Sequence, residues 1–112
     1  MLNELRNEIY LNAIKHGFYA EKEINIPEKL MLIVSELGEA MEAYRIDNYC
    51  KKLNCSDKDF EELIKDTFED EIADTIIRIL DLCGYMQIDI DKHIKLKMKY
   101  NKSRPYKHGK KC

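Results

Sequence analysis

The sequence predicts an all-α protein. Only four Gly and two Pro interrupt 112 residues, alternation of apolar and polar residues is scarce, and apolar residues recur at helical spacing in four segments. A chain of this length forms one domain, so residues 1–112 share one scaffold, with a short basic tail from about residue 105 (Lys107, Lys110, Lys111).

The first helix is expected from about Leu2 to Gly17, with Leu2, Leu5, Ile9 and Ala13 on one stripe and Gly17 as its stop. The second begins near Pro27, a residue suited to the first helical turn, and runs to about Ile46. Its inward stripe is expected to be Leu30, Ile33, Leu37, Met41 and Tyr44. Asp47 to Asn54 reads as a connection. Ser56 is then placed as N-cap of a long helix from Asp57 to about Gly84, with Asp59 near its first turn and Ile64, Phe68, Ile72, Ile76 and Ile79 as core stripe. The last helix is expected from Asp89 through Ile90, Ile94 and Met98 to Ser103, because Pro105 disfavours helix at the residue before it.

Composition excludes several function classes. With 36% charged and 45% hydrophobic residues, the chain is too apolar for a disordered tail and too interrupted by charge for a membrane span. A net charge of -2 gives no large field for phosphate backbones, so nucleic acid is not an expected partner. Cys50, Cys55, Cys83 and Cys112 form no C-x-x-C pair and no zinc-finger spacing, and the start resembles no signal peptide. They read as reduced thiols of a cytoplasmic protein.

The residues with chemistry in them are two acidic pairs, Glu36 with Glu39 and Glu71 with Asp74. Acids three apart are easily obtained by chance in a chain with 21 of them, so spacing alone decides nothing. Position on the helix is more informative. At 100° per residue Glu36 falls among Leu32, Ala40 and Ala43, and Glu71 among Ile64, Thr75 and Leu82, both in apolar or small-residue sectors. Carboxylates about 4 Å apart repel by roughly 4 kcal/mol at a surface-like dielectric. Divalent cations remove that repulsion, and carboxylate oxygens suit Mg²⁺ or Mn²⁺. The plainer alternative is a set of half-exposed acids paired with Lys or Arg. A di-iron bundle needs Glu-x-x-His on two helices, and no acid precedes His16, His93 or His108 at that spacing.

The strings SELGEAMEAYR and EDEIADTIIRILDL resemble the paired E-x-x-E and E-x-x-D helices of MazG-like nucleoside triphosphate pyrophosphohydrolases, within the all-α NTP pyrophosphatase superfamily. KMKYNKSRPYKHGKK looks like the segment that follows them, so the resemblance covers about residues 28 to 111, weakest between Asp47 and Lys65. A longer connection around Cys50 to Lys58 departs from the shortest members. The resemblance implies a four-helix MazG-like bundle completed by oligomerisation, usually as homodimer or homotetramer. It further implies Mg²⁺, with Mn²⁺ as possible substitute, held by Glu36, Glu39, Glu71 and Asp74, and hydrolysis of a (deoxy)nucleoside triphosphate to monophosphate and pyrophosphate. Glu36 or Glu39 is the expected general base for the attacking water.

Lys97, Asn101 and Arg104 share one side of the last helix with Ile90 and Ile94, and a triphosphate would give such inward polar groups partners. Asn12 and His16, near the inward stripe of the first helix, are candidates for base or sugar contact, with Phe18 or Tyr19 stacking; packing or capping is the plainer role. Tyr85 and Arg78 share the side of Asp74 and are candidates to brace it. The rival readings are a non-catalytic helical interaction module, and a related pyrophosphohydrolase for a special nucleotide such as phosphoribosyl-ATP.

Overall fold

The computed structural model describes residues 1–20, 23–50 and 57–109. Its four long helices are α1 (Leu2–Lys15), α2 (Ile26–Arg45), α3 (Phe68–Tyr85) and α4 (Ile90–Ser103), and there is no strand among the described residues. No helix among them is long and apolar enough to cross a membrane.

Local sequence sets the helix starts. Asn25 caps α2, its side chain accepting the Glu28 N–H at 3.0 Å, and Pro27 sits in the first turn, where its missing N–H is not needed. Asp89 caps α4 by accepting from Lys92 N at 3.1 Å. Gly17 follows α1 with φ of 84°, the left-handed conformation glycine adopts without penalty.

The third helix corrects the sequence expectation, which had it run unbroken from Asp57. Residues Asp57–Asp59 and Phe60–Ile64 form short turns, Asp66 takes a positive φ of 66°, and α3 proper starts only after Thr67. Thr67 is the real N-cap: its hydroxyl accepts the Asp70 N–H at 3.3 Å, and Glu69, Asp70 and Glu71 fill the positive first turn. The expected cap, Ser56, lies outside the described residues, as do Cys55, Lys110, Lys111 and Cys112.

The helices do not close around one central core. α3 packs along α2 on one side and along α1 on the other, while α1 and α2 barely touch, so the three make a layer with α3 in the middle. Gly84 permits the α1 contact: a Cβ built there would lie 2.5 Å from Tyr10 Cβ and 3.3 Å from the Arg6 carbonyl. α4 meets the layer near its start, through α1. Asp91 accepts the backbone N–H groups of Leu2 at 3.1 Å and Asn3 at 3.0 Å, Asn3 accepts from Ile90 N at 3.0 Å, and Arg6 donates to the Ile88 carbonyl.

A layer has two faces, and the core is correspondingly thin: Ala40, Ala43, Leu80, Leu82 and Cys83 are its buried apolar residues. The stripes expected to be core, Leu30, Leu37, Met41 and Tyr44 on α2 and Ile76 and Ile79 on α3, are exposed instead. The radius of gyration is 17.0 Å, against roughly 13 Å for a compact chain of this length.

Gly84→Ala should lower stability by about 1–3 kcal/mol, because the Tyr10 backbone-proximal atoms cannot swing aside. Gly38, with open space around its Cβ position, is the matched control, and Gly38→Ala should stabilise by up to about 1 kcal/mol. Urea denaturation of the two variants checks both signs.

Candidate metal centre and its cleft

The antiparallel contact of α2 with α3 brings acids from both helices together. Carboxylate oxygens of Glu36, Glu71 and Asp74 lie within 4.8 Å of one another. Glu39, one turn along α2, is exposed and outside that group, but near enough for its charge to act on Glu71 and Asp74. A second acidic group, Asp66, Asp70 and Glu71, belongs to the start of α3, where Asp70 accepts the Asp66 N–H at 3.0 Å.

Glu71 is the unusual member. The residue is 3% exposed, and its Oε2 is buried without a hydrogen-bond partner. Burial first, then the Glu39 charge, a hydrogen bond shared with Glu36 and the charges of Asp74 and Glu36, push its carboxyl up to about 7. Asp74 is raised too, first by burial and then by Asp70 and Glu36, with Arg78 opposing. A buried carboxylate is ordinarily paired, so Glu71 beside the half-buried Glu36 and Asp74, with one cation among the three, leaves negative charge to be met from elsewhere. The donor set is all hard oxygen, which fits Mg²⁺ or Mn²⁺.

That cation is Arg78, whose Nε donates to Glu36 Oε1 at 2.8 Å. It bridges α3 to α2 and orients Glu36, and its charge also acts on Asp74, the residue it was expected to brace. Tyr85, the other expected brace, stacks on Tyr19 with centroids 5.2 Å apart and belongs to an aromatic group with Tyr10.

The acids open into a cleft of about 710 Å³, floored by α3 and walled by α1 and α2. Glu36, Asp74 and Arg78 stand at one end; Asp81 and Lys29 stand at the other, 3.9 Å apart. Seven residues of helix separate Asp74 from Asp81, about 10 Å of rise. Burial raises the Asp81 carboxyl despite Tyr19 and Lys29 beside it. Lys29 also lies over the Tyr19 ring, 4.4 Å from its centroid.

The other expected contacts divide. Asn12 and Phe18 line the cleft; His16 does not, being exposed at the end of α1 with its Nδ1 2.8 Å from the Asn12 carbonyl. Lys97, Asn101 and Arg104 are not among the cleft's lining residues: Lys97 and Asn101 are exposed on α4, and Lys97 and Arg104 lie 5.1 and 5.3 Å from the Tyr100 ring centroid. The cleft cations are Lys29, Arg78 and, at its margin, Lys15. Lys29 was legible in principle, since seven residues before Glu36 is two turns on the same helix face.

No family model, curated protein or solved structure matches the chain.

Glu71 gives the metal-free protein a pH dependence with a defined sign. Its folded value of about 7 lies above the ordinary 4.5, so it stabilises the fold while protonated, and that contribution is lost as pH rises through about 7. In chelator the melting temperature should therefore fall between about pH 5 and about pH 7.5, and Glu71→Gln should flatten the decline. Parallel curves for the two proteins would show that Glu71 does not carry the effect.

Proposed function

We propose that the chain is a Mg²⁺-dependent nucleoside triphosphate pyrophosphohydrolase, cutting a (deoxy)nucleoside triphosphate to its monophosphate and pyrophosphate as a cytoplasmic MazG-like homo-oligomer. The supporting observation is Glu71 Oε2, buried without a partner behind Glu36 and Asp74, which line an open cleft that Glu71 itself does not line. A helical interaction module would have no reason to hold an unpaired carboxylate there, since replacing it with an apolar residue would remove the penalty.

In this reading Glu36, Glu71 and Asp74 hold the metal, with Glu39 at the rim. When bound, Mg²⁺ supplies charge neutralisation and polarises phosphate oxygens. The chain's own groups do the rest. Arg78 fixes the Glu36 carboxylate, leaving its second oxygen and the exposed Glu39 as bases for orienting a water toward the α-phosphorus. The nucleoside lies along the cleft beside Asn12 and Ile77, toward Lys29 and Asp81. Pyrophosphate extends the other way, past the acids.

The test is a panel of NTPs and dNTPs with Mg²⁺, with pyrophosphate and orthophosphate measured separately; orthophosphate as sole product would sink attack at the α-phosphorus. Glu36→Gln and Glu71→Gln should each lower kcat/KM by at least about a hundredfold, roughly 2.7 kcal/mol or more, without loss of helicity. Lys29→Ala should weaken triphosphate binding more than Lys97→Ala, because Lys29 faces the cleft and Lys97 does not. Titration calorimetry ranks the two, and the reverse order would move the nucleotide out of the cleft toward α4.

A further inference from the structure

We infer that α4 docks on the phosphate backbone of a nucleic acid through one line of lysines, Lys92, Lys95, Lys99 and Lys102. The inference goes beyond the proposed function and does not depend on it.

The net charge of -2 sums two unlike parts, so it is a poor guide to the local field. Residues 1–88 hold 10 Lys and Arg against 19 Asp and Glu, and residues 89–112 hold 9 against 2. Charges of -9 and +7 are therefore divided at the start of α4. The two acids of the basic part are engaged at the corner with α1: Asp91 accepts from the Leu2 and Asn3 backbone, and Asp89 accepts from the Asn3 side chain and from Lys92 N. Beyond that corner no residue of α4 is buried, and the helix packs against α1 rather than along the acidic α2 and α3.

Lysines recur on α4 at steps of three, four and three. At 100° per residue the four fall within about 80° of one another, and they span ten residues, about 15 Å of rise. All four are exposed, and none makes an ion pair among the described residues. Like charges at these steps repel and weaken a helix. An anionic partner removes that repulsion.

The spacing identifies the partner. One strand of a duplex presents a phosphate about every 3.4 Å along its axis, so about 15 Å of helix sets four cations against four or five phosphates. The side chains of an acidic protein offer no such regular row. Lysine meets phosphate as a point charge, without the fork that arginine brings to a single planar anion. A lipid surface is a poorer match. Ile94 and Met98 lie on the opposite side of α4 from Leu96 and Tyr100, so the helix has no single apolar face to enter a bilayer.

The test is fluorescence anisotropy of a labelled oligo-thymidine strand, titrated with the wild-type protein in chelator across a salt series. At low salt the Kd should lie between about 1 and about 100 micromolar, and log K should fall against log salt with a slope of about -3, because four single-strand contacts contribute roughly -0.7 each. Changing Lys95→Gln and Lys99→Gln together should halve that slope and weaken binding at least about tenfold without loss of helicity, since neither residue is buried. Removing the same charge elsewhere, by Arg45→Gln with Lys65→Gln, should change neither quantity. Absence of binding at low salt, or a slope that the Lys95 and Lys99 changes leave intact, would overturn the inference. So would displacement of the strand by dTTP at equal phosphate concentration, which would assign the lysines to mononucleotides, or tighter binding to phosphatidylserine vesicles than to the strand. The readout involves neither metal nor hydrolysis, so failure here is distinct from failure of the proposed function.

Discussion

The placement of α3 between α1 and α2 is the constraint from which the other features follow. A helix packed on two opposite sides keeps two further sectors open. On α3 one carries Asp74, Arg78 and Asp81 and becomes the floor of the cleft; the other carries Ile72, Ile76 and Ile79 and becomes part of an apolar face. Glu71 points along the α2 contact itself, which is why it is buried while Asp74, three residues on, reaches the cleft wall. The contact that supplies much of the little buried apolar area therefore also confines a carboxylate. Stability and the acid cluster draw on one interface, and apolar burial has to exceed the penalty of that carboxylate at neutral pH.

Much of this was legible in the sequence because helical periodicity is local. The extents of α1, α2 and α4 follow from Gly17, Pro27 and Pro105, and the convergence of Glu36, Glu71 and Asp74 follows from their sectors on two helices. The break before α3 was missed because Thr67 competes with Ser56 as a cap, and a hydrophobic pattern running through both positions does not choose between them. The inward stripes were misplaced for a different reason. Periodicity identifies an apolar face but does not say whether its partner is in the same chain. Lys29 and Asp81 were missed because their pairing depends on the antiparallel register of α2 and α3, a long-range quantity.

The capping of α1 by Asp91, together with the Asn3 side chain, which donates to Asp89 and accepts from Ile90 N–H, does for the corner with α4 what apolar burial does elsewhere. Hydrogen bonds from backbone donors hold the Asp91 carboxyl below its usual range, so that corner is held by directional contacts between polar groups. It fixes the angle at which α4 leaves the layer while burying little of α4 itself, none of whose residues is buried.

Asn48 has a similar role at the opposite end. Its carbonyl accepts the Phe68 N–H at 2.8 Å, its side-chain amide donates to the Asp66 carbonyl at 3.0 Å, and its own N–H returns to Ala43 at 2.8 Å. One residue thus clasps the end of α2 to the beginning of α3. Asn48 and Asp66, eighteen positions apart in sequence, are thereby held together at the base of the connection. Closing a flexible loop becomes only slightly harder as it lengthens, about 0.6 kcal/mol for each doubling. With those two ends fixed, the helix register that aligns Glu36 with Glu71 is set by the contacts of Asn48 and not by the length of the connection between α2 and α3.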